Sequence, residues 1–375
     1  MARAPINGTT LRWARETLMM DRDELARAAQ TTAERIAEFE AGSPPTLRQL
    51  SLMATRLDRP PAFFFTVPPD MPDVPAAPDF RGRAAGGLPP ALAKQLRRAE
   101  RRRVTLLELE DSIPSPTLPG ATTRENVNNR ADEFRAALGL SQDSPAPAGD
   151  RNEALKVWVD LLERHGYLVF QTTRIAIETY RGVSISHDKL PIVLLNGSDS
   201  PAGKIFTLFH EVAHIANRTS GLCVLNNRVG AETVANAFSA AFLMPTSAVR
   251  EQLARLQGSP ISLADALADR FKVSPLATGI RLRTLALIDE EALNQIWREA
   301  DKRAATSRES QRSAGGHPPP WRLRYRDLGR PYVGAVARAL EDERIDWLDA
   351  AYLLDARVPM AEQIFDEYHR AAAGS

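Results

Sequence analysis

The segment Lys204 to Ala216, Lys-Ile-Phe-Thr-Leu-Phe-His-Glu-Val-Ala-His-Ile-Ala, sets two histidines and a glutamate in a run otherwise apolar enough to be buried. Its pattern is helical, and residues four apart share a helix face, so the imidazoles of His210 and His214 stand together on one side. Two imidazoles in that register can bind one Zn²⁺, and Glu211, between them in sequence, is placed as general base for an attacking water. In the competing reading the histidines merely pack and Glu211 is a solvated side chain. A catalytic zinc takes three protein ligands and keeps a fourth position open. Glu232 is the candidate third ligand, because it opens a second amphipathic stretch, Glu232-Thr-Val-Ala-Asn-Ala-Phe238, with room after His214 for a loop and a returning helix. The single cysteine, Cys223, cannot form an internal disulfide, so the ligands of any metal come from His, Asp and Glu.

The rest of the chain reads as modules around this segment. Residues 8 to 65 carry apolar positions at helical spacing, Leu11, Ala14 and Leu18, then Leu25 and Ala29, then Ile36 and Phe39, then Leu47, Leu50, Ala54 and Leu57. Asp21 is expected to cap the second helix and Thr31 or Thr32 the third, which Gly42, Pro44 and Pro45 end before Thr46 opens a fourth. Val67 to Pro90 is Pro-rich and reads as an extended linker, followed by a helical arm over 91–112 and another helix over Asn129 to Leu138. From Glu153 an amphipathic helix runs to Arg164 and stops at His165-Gly166, and three runs rich in β-formers follow at Tyr167–Thr172, Gly182–His187 and Pro191–Asn196. Helical patterning resumes to about Glu299, a polar stretch covers Arg303 to Pro320, and Trp321 to Tyr368 is helical again. The expected division is 1–66, a linker and arm over 67–149, an α+β domain over 150–302, a linker over 303–320 and a helical segment over 321–375.

Four ordered blocks, Tyr180-Arg-Gly-Val-Ser-Ile, Pro191-Ile-Val-Leu-Leu-Asn, Phe206-Thr-Leu-Phe-His-Glu-Val-Ala-His and Glu232-Thr-Val-Ala-Asn-Ala-Phe-Ser-Ala-Ala-Phe-Leu-Met-Pro245, resemble the ImmA/IrrE family of bacterial metallopeptidases over about residues 150 to 290. The resemblance implies a minimal zincin-like domain, with a small sheet, an active-site helix and a following helix that carries the glutamate. It implies His210, His214 and Glu232 as zinc ligands, Glu211 as catalytic base, and limited cleavage of a protein substrate such as a DNA-binding repressor or a partner encoded alongside. The sequence departs from the family where Ser239-Ala-Ala-Phe242 precedes Leu-Met-Pro, a change expected to touch no ligand. The first module resembles the Xre-type helix-turn-helix family, which implies a third helix in the major groove with Thr31, Thr32 and Arg35 nearest the bases.

Charge bears on the choice between these roles. With 48 Lys and Arg against 47 Asp and Glu the net charge is +1, so the whole molecule presents no field that would draw it onto nucleic acid or membrane. The start has no apolar signal region and no stretch reaches bilayer length, so a cytoplasmic location is expected. The third helix carries Glu34, Glu38 and Glu40 against Arg35 alone, where phosphate binding needs an excess of positive charge. Protease action is therefore the leading expectation. The alternative is a transcriptional regulator whose peptidase-like domain senses a ligand or partner, and either protein suits a toxin or plasmid-defence pair. The basic run Lys94, Arg97, Arg98, Arg101, Arg102 and Arg103 reads as a solvated helix face paired with Glu108, Glu110 and Asp111, or as a contact for phosphates. His165 at a helix end and Tyr180 read as structural.

Overall fold

The computed structural model describes residues 2–69, 89–140, 147, 149–173, 175–219, 222–223, 230–311 and 318–373. By internal contacts the chain divides into residues 1–101 and 102–375. Among the described residues no helix is long and apolar enough to cross a membrane.

The first unit holds α1 (Gly8–Thr17), α2 (Arg22–Ala29), α3 (Ala33–Glu40), α4 (Leu47–Leu57), a 3₁₀ turn (Pro61–Phe65) and the start of α5 (Pro90–Leu109). Asp21, Thr32 and Thr46 are the N-caps of α2, α3 and α4, each accepting from a backbone N–H that the helix start leaves without a partner. Leu11, Ala14, Leu25, Ile36, Phe39, Met53 and Leu57 are buried together. Glu40 is buried too, and its carboxylate is held below the usual range because Arg15 (2.6 Å) and Arg22 (2.8 Å) offset the burial that would raise it. The Pro-rich linker lies largely outside the described residues.

The basic run is not paired as expected. Lys94, Arg97 and Arg98 converge on Asp58, with Arg97 reaching Asp58 Oδ2 at 2.9 Å and the Leu57 carbonyl at 3.0 Å, while Glu110 pairs with Arg338. Sequence proximity suggested the nearer acids, but Asp58 is the C-cap of α4 in the left-handed region, and there its carboxylate meets the basic face of α5. Burial would raise its pKa, and the three cations lower it far more. A depressed carboxyl supplies stability above the pH where a free Asp ionises, about 4, and loses it as pH falls toward the folded value. Asp58→Ala leaves the Arg97 guanidinium buried without its anion, so residues 1–101 are expected to lose about 3 kcal/mol at neutral pH. Hydrogen exchange across α4 and the start of α5 measures this, and the variant's stability should then change less than wild type's between neutral and acid pH.

In the second unit follow the rest of α5, then α6 (Val127–Ala137), α7 (Arg151–Arg164), β1 (Leu168–Thr172), β2 (Gly182–Ile185), β3 (Ile192–Asn196), α8 (Pro201–Ala216), β4 (Leu222–Cys223) and α9 (Ala231–Leu243). After them come α10 (Thr246–Ala254), α11 (Pro260–Phe271), α12 (Pro275–Thr284), α13 (Glu290–Gln311), α14 (Pro320–Leu328), α15 (Arg330–Glu341), α16 (Trp347–Leu353) and α17 (Val358–Ala373). The fold is α+β and mostly helical. The sheet runs β1-β3-β2-β4, with β1 parallel to β3 (Leu168 opposite Ile192) and β2 antiparallel both to β3 (Gly182 opposite Leu195) and to β4 (Gly182 opposite Cys223). β1, β2 and β3 are buried along their whole length, their polar residues Gln171, Thr172, Ser184 and Asn196 included. α7 ends where Gly166 takes φ +85°, and α8 then packs on α7, α9 and the sheet.

The polar stretch assigned to a linker from Arg303 is corrected in its first part, because α13 continues to Gln311. Ala304, Ala305, Arg308, Glu309 and Gln311 are strong helix formers, and propensity sustains a helix where no apolar stripe announces one.

Candidate metal centre

α8 starts at Ser200, whose hydroxyl accepts from Gly203 N, with Pro201 in the first turn where its missing N–H costs nothing. Ile205, Leu208, Phe209, Val212, Ala213 and Ile215 are buried around its circumference, which explains a helix apolar on nearly every side. Phe209 stacks on Phe242 of α9 at 4.0 Å, and Trp158 of α7 meets Phe209 edge-on at 5.3 Å. This aromatic contact fixes α9 against α8. Ser239, where the sequence departs from the family, donates to the Phe206 carbonyl at 2.7 Å and ties the same two helices by a hydrogen bond.

The far end of α9 is held by two buried guanidiniums. Arg135 donates to the Phe242 carbonyl at 2.9 Å and Arg281 to the Met244 carbonyl at 3.2 Å, satisfying acceptors that a helix end leaves open. Burial pushes both guanidiniums down to about 10, with the Asp132 charge opposing, so both remain cationic at neutral pH.

At the other end of α9, Glu232 reaches the histidines. His210 Nε2 and His214 Nε2 lie 3.0 Å apart, and Glu232 places Oε2 3.2 Å from the first and Oε1 3.4 Å from the second. Their three donor atoms all fall within 4.8 Å of one another. The tautomers follow from the opposite ring nitrogens. His210 Nδ1 donates to Asn236 Oδ1 at 3.0 Å, and His214 Nδ1 to Thr219 Oγ1 at 2.9 Å, the Thr219 hydroxyl in turn donating to the His214 carbonyl. With both Nδ1 atoms protonated, each Nε2 carries a lone pair. Two lone pairs and a carboxylate facing one another repel unless a cation lies among them, so this donor set suits a metal. Burial would raise the Glu232 pKa, and positive charge on the imidazoles facing it lowers it far below the usual range; a cation among the three donors supplies that charge when both Nε2 atoms are unprotonated.

Glu211 lies against β2 at Gly182. It is 0 % exposed, and neither carboxylate oxygen makes a hydrogen bond of ordinary geometry with a described residue. Burial raises its pKa, opposed by His214, His210 and the Ser184 hydroxyl of β2. A solvated Glu211, the competing reading of the motif, is therefore not what the fold holds. Gly182 makes room for it: a Cβ there would lie 2.8 Å from Glu211 Oε1 and 2.3 Å from Thr207 Cγ2. Asn236, Thr219 and Gly182 carried no role in the sequence reading. Only Asn236 left a signal, since it stands four residues after Glu232 and so on the same helix face. Asn236→Ala is expected to weaken zinc affinity on the order of 10–100-fold with the fold intact, measured by competition with a chromogenic chelator.

The residues expected near DNA bases belong to the first unit. Thr32 spends its hydroxyl on capping α3, and the Thr31 N–H donates to the Ala26 carbonyl. Arg35 is ion-paired with Glu38 and lies over the Phe39 ring at 5.1 Å. Tyr180 is buried and bonded to Thr172, and His165 Nδ1 to the Leu161 carbonyl at 2.8 Å, structural roles for both.

Residues 162–283 match the family model of a peptidase family described as the IrrE N-terminal-like domain, and residues 11–64 match a helix-turn-helix model. The chain thus joins an Xre-type helix-turn-helix to an ImmA/IrrE-type domain. No curated protein matches it. A solved structure it resembles is a Mycobacterium tuberculosis transcriptional regulator, at 17% identity and a TM-score of 0.31, the alignment covering 49% of this chain and 51% of that one. The chain therefore spans about half the length of that protein.

Proposed function

We propose that the protein is a cytoplasmic zinc-dependent endopeptidase that makes limited cuts in a protein substrate, such as a DNA-binding repressor or a regulator encoded beside it. The observation that carries this reading is the buried, unbonded carboxylate of Glu211 beside two imidazoles whose Nε2 lone pairs face Glu232. His210, His214 and Glu232 would hold the ion. A zinc ion there supplies Lewis acidity that activates water and polarises a carbonyl.

The chain's own residues do the rest. Glu211 takes a proton from the attacking water and delivers it to the departing amine, a task helped by burial, which makes the carboxylate a better base than an exposed one. Asn236 and Thr219 keep both imidazoles in the tautomer that presents Nε2. Gly182 keeps β2 close to Glu211 without touching it through a side chain. β4 is an edge strand of the sheet beside β2, and an extended substrate would add as a further strand along that edge.

Residues 1–66 serve, in this reading, to hold a protein more than to read DNA. The helix-turn-helix match supports DNA binding as a second reading. Against a strong electrostatic grip, α3 presents Glu34 and Glu38, and its Arg35 is engaged by Glu38. Mapping new N-termini in cells that express wild type or Glu211→Gln tests the first reading. A few discrete cuts are expected with wild type alone, and identical N-terminal maps would contradict it.

A further inference from the structure

Residues 284–375 lie beyond the stretch that matches the peptidase family, and their last helices carry a surface that the metal centre does not use. Between α15, α16 and α17 there is a pocket of about 320 Å³ with Ala337, Leu340 and Phe365 in its lining and Trp347 on one side, its indole edge-on to Phe365 at 5.8 Å. The remaining lining residues are Glu341, Glu362, Asp366 and His369, with no Lys or Arg among them. His369 pairs with Glu341 at 3.3 Å. Glu362 and Asp366 form no ion pair or side-chain hydrogen bond with described residues. They stand one turn apart on α17, a like-charge spacing that costs helix stability. Leu348 and Tyr352, four residues apart on the same helix as Trp347, are 74% and 71% exposed.

We propose that this face docks a protein partner through a segment in which an Arg or Lys is flanked by apolar residues. The basic side chain would lay its aliphatic stem on Trp347 and Leu340 and carry its cation to Glu362 and Asp366, and the apolar neighbours would cover Leu348 and Tyr352. Charge complementarity selects this occupant. A second copy docked through the same face would bring the two acidic rims together, and nucleic acid would meet the same repulsion. The docking does not rest on the hydrolytic reading, so it is tested on the full chain carrying Glu211→Gln.

The test is panning of a random peptide library against that protein, followed by fluorescence anisotropy with the recovered consensus peptide. Arg or Lys beside Leu, Phe or Tyr should dominate the recovered pool. The consensus peptide should bind on the order of tenfold more weakly to the exposed double variant Glu362→Gln/Asp366→Asn, and more weakly as salt rises. A Trp347→Phe protein should retain most of the binding and Leu348→Ser should reduce it. Recovery of no peptides, a consensus lacking a basic residue, equal affinity for the double variant, or a concentration-dependent dimer that Leu348→Ser dissolves would each overturn the proposal.

Discussion

Glu211→Gln should leave the fold and the zinc content unchanged while lowering cleavage at least 10²–10⁴-fold, the usual contribution of a general base. The amide has almost the volume of the acid, so it fits the space that Gly182 leaves open for it. It cannot accept the proton of an attacking water. Because Glu211 is buried without an ordinary hydrogen-bond partner, replacing it also breaks no bond on which the helix depends. Zinc analysis and a cleavage assay on the same preparation separate the two effects. Undiminished cleavage by the Gln protein would remove Glu211 from the chemistry.

The second large effect is on the metal. His210→Ala, His214→Ala and Glu232→Ala should each take zinc from about one per chain to a small residue after dialysis, since a His₂Glu site has no spare ligand among its three. The cause in each case is local. His214→Ala also removes the imidazole N–H that the Thr219 hydroxyl accepts, whereas Glu232→Ala leaves both imidazoles with their Nδ1 partners. Glu232→Ala is therefore the cleaner variant, and thermal unfolding without zinc should differ least from wild type for it. Full zinc occupancy in Glu232→Ala would send the third ligand elsewhere.

Much of this was legible in the sequence because it rests on local rules. The His210–His214 spacing, the capping residues Asp21 and Thr46 and the stop at Gly166 each act within one or two helical turns, so the residues that decide them are neighbours in the chain. Glu232 was legible because a helix opening on an acid has one obvious side chain to offer. What escaped depends on pairings that no local pattern encodes. Asp58 meets Arg97 and Arg98 only once α4 and α5 have come together, and the nearer acids Glu108 and Glu110 looked equally suitable. Gly182 owes its importance to α8, which begins only after β3, and Thr219 to lying just past the end of α8. β4, at Leu222–Cys223, is too short for its alternation to be seen. The continuation of α13 was hidden for the opposite reason, a helix without an apolar stripe.

The proposed activity stands or falls on what surrounds the metal. X-ray absorption at the zinc edge of the full-length protein, purified without added metal and compared with Glu232→Ala, reads that directly. The expected result is about one zinc per chain with nitrogen and oxygen ligands at about 2.0–2.2 Å, multiple-scattering features of two imidazoles, and loss of zinc in the variant. A sulfur scatterer at about 2.3 Å, which would bring Cys223 into the shell, or protein that takes up no zinc even when it is supplied, would contradict it.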